Sequence, residues 1–214
     1  MRDKYEEQLL TLNTELMRMG ALCEEAISCA VRSLTENDGT MKQRVSETEK
    51  QIDHKERDIE SLCMKLLIHQ QPVATDFRMI TSALKMISDM ERIGDQAEDI
   101  AEIAEYISGI DLKSKDTLNE MAKTAVDMVM KSIESYIEQS TKIAYSVIKE
   151  DDTMDELFMN AKKQLICEIQ NSSSENAEAL VDILMTAKYF ERIGDHAENI
   201  AEWVVYSLTG KHDF

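Results

Sequence analysis

The chain has 214 residues, 43% of them hydrophobic and 31% charged, enough for one sizeable domain or two small ones. Its 42 acidic against 24 basic side chains leave a formal charge of −18, a surface that repels nucleic acid and anionic lipid and argues against direct operator binding. One proline, six glycines and 5% aromatics against 14 methionines favour long packed helices over a β-sandwich.

Taken in chain order, the apolar periodicity predicts a helix over about 4–36, with Leu16, Met19, Cys23, Ile27, Ala30 and Leu34 on one stripe. Asn37-Asp38-Gly39 stops it, and a second helix over about 40–69 ends before Gln70-Gln71-Pro72. A third covers about 75–108, closed by Gly109 as a left-handed cap. The scheme then repeats over about 114–149, 152–171 and 174–208. Met130, Ile133, Ile137, Thr141, Ala144 and Ile148 form the fourth helix's stripe, and Ser172 and Glu175 stand at capping-box spacing before the sixth.

This repetition is literal. Residues 91–102 read ERIGDQAEDIAE and residues 191–202 read ERIGDHAENIAE, differing only at Gln96/His196 and Asp99/Asn199. A duplicated unit of domain size follows: an all-α chain of two tandem three-helix bundles, over 1–110 and 111–214, joined near 110–115.

Within the repeat the acids recur at helical spacing. Glu91, Asp95, Glu98 and Glu102 lie within roughly 60° on a helical wheel, and Glu191, Asp195, Glu198 and Glu202 match them. The second helix carries Glu49, Asp53, Glu56 and Glu60 at the same spacing; the fifth keeps Asp151 and Asp155 and then turns to Phe158 and Lys162. Like charges four apart destabilise a helix by about 0.2–0.5 kcal/mol per pair. On the wheel alone such a stripe is a plain solvated face, because Ile93, Ile100 and Ala104 take the opposite side. Its reuse in both halves and on adjoining helices, about 8–10 Å apart when packed, favours carboxylates converging on hard or borderline cations (Mg, Mn, Fe or Zn) in an open surface groove. Gly94 and Gly194, inside helices, predict close approach of another backbone or of a ligand. Arg92 and Arg192 are read as local ion pairers.

The four cysteines, Cys23, Cys29, Cys63 and Cys167, lack CxxC spacing and read as reduced thiols that mostly pack. Met17, Met19, Met86 and Met90 offer either core filling or an adaptable binding surface. No apolar signal core opens the chain and no run of about 18 apolar residues occurs, so a soluble protein inside the cell is expected. No GxxxxGK[ST], GxSxG or HExxH motif is present, and the residues three before His54, His69, His196 and His212 are Gln51, Leu66, Ile193 and Thr209, so the Glu-x-x-His pairs of di-iron bundles are missing. A non-enzymatic role is therefore expected, with a carboxylate-bound metalloenzyme or a purely structural helix-binding bundle as the alternatives.

The paired ERIGDQAEDIAE and ERIGDHAENIAE segments resemble the signature of the PhoU family, and the likeness covers nearly the whole chain. Each unit carries an acid-x-x-x-Asp motif on its second and third helices: Glu49–Asp53, Glu91–Asp95, Asp151–Asp155 and Glu191–Asp195. The resemblance implies a cytoplasmic negative regulator of the phosphate-starvation response, linking the phosphate ABC transporter to a membrane sensor histidine kinase, often as a homodimer. It also implies metal (Fe, Zn, Mn or Mg) on these motifs, with Glu98 and Glu198 as further candidate ligands. Because the fifth helix lacks counterparts of Glu56 and Glu60, the second site is expected to be weaker or to hold fewer ions. His196 is read as a surface histidine before it is read as a nitrogen ligand.

Overall fold

A computed structural model of the protein describes residues 2–36, 39–70, 73–107, 115–171 and 174–211. These residues form six helices: α1 (Arg2–Glu36), α2 (Gly39–Gln70), α3 (Ala74–Ile107), α4 (Lys115–Ile137), α5 (Thr141–Asn171) and α6 (Ser174–Thr209). Scarcity of helix breakers permits such lengths; the 35 residues of α1 rise about 50 Å at 1.5 Å each. The stops assigned to Asn37-Asp38, Gln71-Pro72 and Gly109, most of the joint near 110–115, and the Ser172–Glu175 box fall outside what is described.

α1, α2 and α3 pack against one another, and so do α4, α5 and α6, giving the two three-helix bundles. The bundles meet through α3 against α6, the most extensive contact between helices, and through α1 against α4; among the described residues α2 and α5 touch only their own bundle. One continuous core results. It takes the whole α1 stripe from Leu16 to Ala30, with Leu34 partly buried, and fills its gaps with Met19, Met86 and Met90, while Met17 stays exposed. Cys23, Cys29 and Cys63 are buried and Cys167 is exposed, all as free thiols.

The fourth and fifth helices part earlier than their apolar pattern suggests. α4 stops at Ile137, not near Lys149, and α5 begins at Thr141. Consequently Thr141, Ala144 and Ile148 belong to α5, and Met130, counted in the α4 stripe, is exposed. The turn is a Schellman cap without glycine. Gln139 takes the left-handed φ of 51°, its N–H donates to the Tyr136 carbonyl, and the Ser140 N–H donates to that of Ser135. Ser140 then caps α5, accepting from the Ile143 N–H at 3.3 Å. With this break placed, α2 and α5 correspond residue for residue: Val45, Ile52 and Ile59 are matched by the buried Val147, Met154 and Ala161.

Two devices close the inter-bundle faces. A Cβ on Gly20 would overlap the Ile133 Cδ1 across the α1–α4 contact. Arg78 of α3 donates from Nε to the Ser207 carbonyl at 3.2 Å, satisfying an orphan acceptor in the last turns of α6. Gly20→Leu is expected to lower stability by about 1–3 kcal/mol through overpacking, read as a fall in the urea midpoint. Gly39→Leu, where nothing stands within 4 Å of the added Cβ, is the control and should leave the midpoint close to wild type.

Candidate functional site

The α2–α3 groove gathers the first set of acids. Glu49 of α2 feels Asp53 on its own helix and Glu98 and Asp95 on α3; burial and then these charges push it up to about 7. Glu91 is raised by burial and by Asp95, with Arg92 opposing and with Glu56 and Asp53 of α2 adding to the rise. Glu49, Asp53, Glu91, Asp95 and Glu98 are all partly buried, so the stripe is neither a freely solvated face nor a core. Three cationic contacts temper it: Arg57 stands 3.6 Å from Asp53, and Arg92 stands 3.3 Å from Glu91 and 2.9 Å from Asp95. Glu60 and Glu102, at the ends of their stripes, are exposed.

The α5–α6 groove gathers the second set. Asp151, pushed up to about 6 by burial, faces Asp195, Asp155 and Glu191. Glu198, pushed up to about 7 by burial, faces Asp151, Glu202 and Asp195. Asp195 and Glu191 are raised as well, each by burial first. One oxygen of Asp151, Oδ1, is enclosed with no hydrogen-bond partner. Glu191 is 8% exposed and pairs with Lys188, whose ammonium also lies 5.4 Å from the Phe158 ring centroid. Asp155 and Glu191 border a hollow of about 470 Å³ with Glu156, Phe158, Met159, Asn160 and Lys163. The ten acids read from sequence as candidate ligands thus fall into the two grooves, five in each.

The two grooves differ in one way that the acid pattern alone does not disclose. Where the first has Glu56 accepting from Ser88 at 3.3 Å, the second has Phe158 beneath Lys188. Phe158 is visible in the sequence as a lost acid; Lys188, a hundred residues after Ser88, lies just outside the literal repeat and brings a built-in cation. Gly94 and Gly194 admit neighbouring side chains instead of a backbone. A Cβ at 94 would meet Ile52 at 3.0 Å, and one at 194 would meet Met154 at 3.0 Å and Asp151 Oδ1 at 3.4 Å.

His196 corrects its surface reading. It is partly buried, with Nδ1 2.9 Å from Asp89 Oδ1 on α3, so it bridges the bundles instead of turning toward the acids. Asn199 Nδ2 donates to the same oxygen at 3.3 Å. Asp89 itself escapes a reading of the sequence, because an isolated acid before the repeat has no sequence partner to mark it.

As a metal centre the grooves have the right donors in an unclosed arrangement. Among the described residues no three His, Cys, Asp or Glu side chains stand so as to hold an ion. The donors are carboxylate oxygens, suited to a hard cation, and the partnerless Asp151 Oδ1 is the kind of atom such a cation satisfies. Arg92 and Lys188 now hold Glu91, Asp95 and Glu191 and would have to swing away.

A duplicated all-helical bundle with one carboxylate groove per half, and no helix among the described residues long and apolar enough to cross a membrane, defines the class. The chain belongs to the PhoU family: the model of the PhoU domain matches residues 16–104 and again 118–204. A phosphate-specific transport system accessory protein PhoU homolog of Clostridium acetobutylicum is 33% identical, over 98% of this chain and 96% of its own length. The corresponding homolog of Pseudomonas aeruginosa is 31% identical, over 97% of this chain and 86% of its own length. The crystal structure of PhoU from Pseudomonas aeruginosa superposes with a TM-score of 0.90 at 30% identity, covering 97% of this chain and all (100%) of that one. A phosphate transport system regulatory protein PhoU from Streptococcus pneumoniae, at 24% identity and a TM-score of 0.89 over 98% of this chain and 99% of its own, attests to the fold alone.

The crowding sets a pH dependence. Glu49 and Glu198 titrate near 7 and Asp151 near 6, above their unfolded values, so the native chain binds more protons than the unfolded one between about pH 4 and 7. Their contribution to stability is present in acid and lost as pH rises through about 7. In metal-free protein, Glu49→Gln with Glu198→Gln should raise stability at pH 8 by roughly 1 kcal/mol after solvent screening and add nothing at pH 5. Urea titrations of both proteins at the two pH values measure this, and equal differences at both would refute the assignment.

Proposed function

We propose that the chain is a metal-binding regulator of phosphate uptake that works in the cytoplasm. Membership of the PhoU family supports a role in phosphate regulation and a regulatory, non-catalytic character. In this reading it is a homodimer and a negative regulator of the phosphate-starvation response, acting between a phosphate ABC transporter and a sensor histidine kinase. The two units divide near residues 110 and 111. The deeply acidic surface, at −18, favours cations and basic protein surfaces as partners over nucleic acid.

The metal assignment is carried by one observation: carboxylates of different helices sit in each other's field, Glu49 with Asp95 and Glu98, and Asp151 with Asp195. A divalent Mn, Mg, Fe or Zn ion between them would cancel the repulsion that raises these groups. Glu49, Asp53, Glu91, Asp95 and Glu98 would serve the first site, and Asp151, Asp155, Glu191, Asp195 and Glu198 the second. With Phe158 and Lys162 standing where the first half has Glu56 and Glu60, the second site is the weaker of the two. The ion pairs of Arg57, Arg92 and Lys188 favour the competing reading, a purely structural bundle whose acids are merely solvated.

Metal content decides between them. Protein loaded with Mn and freed of excess should retain ions by mass spectrometry, and with free Mn at about 100-fold above Kd it should melt roughly 5–10 °C higher than chelator-treated protein. Asp95→Ala with Asp195→Ala should lose most of that metal and derepress phosphate-uptake genes in the host. Equal metal content in wild type and double variant would remove these residues from the site.

A further inference from the structure

The two positions at which the literal repeat departs from itself, 96/196 and 99/199, both lie on the contact between α3 and α6. On one side of that contact Asp89 of α3 accepts from Asn199 of α6 at 3.3 Å and stands 2.9 Å from the His196 ring nitrogen. On the other side the partners exchange places: Tyr189 of α6, raised first by burial, stands in the field of Asp99 of α3. Gln96, only 4% exposed, holds the position corresponding to His196. Asp89 therefore meets His196 and Asn199, and Tyr189 meets Asp99, in a contact that repeats with the halves interchanged but with different chemistry at each copy. One copy is Asp against His and Asn; the other is Tyr against Asp, with Gln96, whose Oε1 is buried without a hydrogen-bond partner, at the place of His196.

We infer that Asp89, Gln96 and Asp99, with Tyr189, His196 and Asn199, form a recognition seam through which the first bundle accepts the second bundle and rejects a copy of itself. Were an α3 to stand where α6 stands, Asp89 would face Gln96 and Asp99 in place of His196 and Asn199. One of the two donors would become a carboxylate, and the carboxylate clash would occur at both copies of the contact. Paired with itself, α6 would set Tyr189 against His196 and Asn199 and lose the carboxylate acceptor on both sides. The unlike pairing keeps the carboxylates apart and leaves Asp89 facing both His196 and Asn199. Selection for this pairing accounts for divergence at these positions inside a segment otherwise preserved letter for letter. The partner this surface fits is thus a bundle of the second type, in the same chain or in another copy.

The test uses the full-length chain. His196→Gln with Asn199→Asp makes the second half like the first at the seam and places a new carboxylate against Asp89. Tm should fall by roughly 5 °C, with faster amide exchange along α3 and α6. Adding Asp89→Tyr converts that side into the Tyr–Gln–Asp arrangement present on the other side and should restore at least half of the loss. A double variant melting within about 1 °C of wild type, or a triple variant no better than the double, would overturn the seam. Should the double variant not fold, a folded triple variant supports the proposal and an unfolded one refutes it.

Discussion

Helices α3 and α6 each answer to three neighbours at once, and the rest of the structure follows from that constraint. One side of α3, with Ile93, Ala97 and Ile100, is sealed in the core; another meets α6 through Asp89; a third carries the acids toward α2. At about 100° per residue, these faces divide the wheel with little left over. The crowding of carboxylates on the third face is a consequence of how fully the other two are used.

That crowding has a cost which local structure only partly offsets. Arg92 bridges to Glu91 and Asp95 in the first half, and Lys188 serves Glu191 in the second. Neither reaches Glu49 or Glu198, which remain raised to about 7. Burial raises each of them more than the neighbouring charges do, so the repulsion acts where water screens it least. A helix pair held this way keeps a reserve of unfavourable energy that a cation, a proton or a basic partner can release. The Arg92–Asp95 and Lys188–Glu191 pairs show that each half has already taken part of that release internally.

Much of the fold is legible in the sequence because helices announce themselves by period and the duplication by identity. Leu16 to Ala30 lie on one stripe and are buried together. The break between α4 and α5 is hidden, since the turn uses Gln139 in a conformation that glycine normally marks and apolar residues continue in step across it. The candidate site is readable as two sets of five acids, because spacing determines which side chains share a helix face. Lys188, three residues before Glu191, is readable in the same way; Asp89 and Tyr189 are not, because they act across helices, where nothing in the linear order signals proximity. His196 misleads for the same reason. The clue is nonetheless in view, at the two letters by which the repeats differ.

Placement of α2 and α5 on the outer flanks carries a mechanical consequence. Among the described residues each contacts only its own bundle, so either can lift from its neighbours while the α3–α6 junction stays shut. Its departure would part the acids of α2 from those of α3 and relieve their repulsion at the expense of the apolar seal made by Val45, Ile52 and Ile59. An ion bridging the groove would tie this outer helix to its neighbour while leaving the central frame untouched.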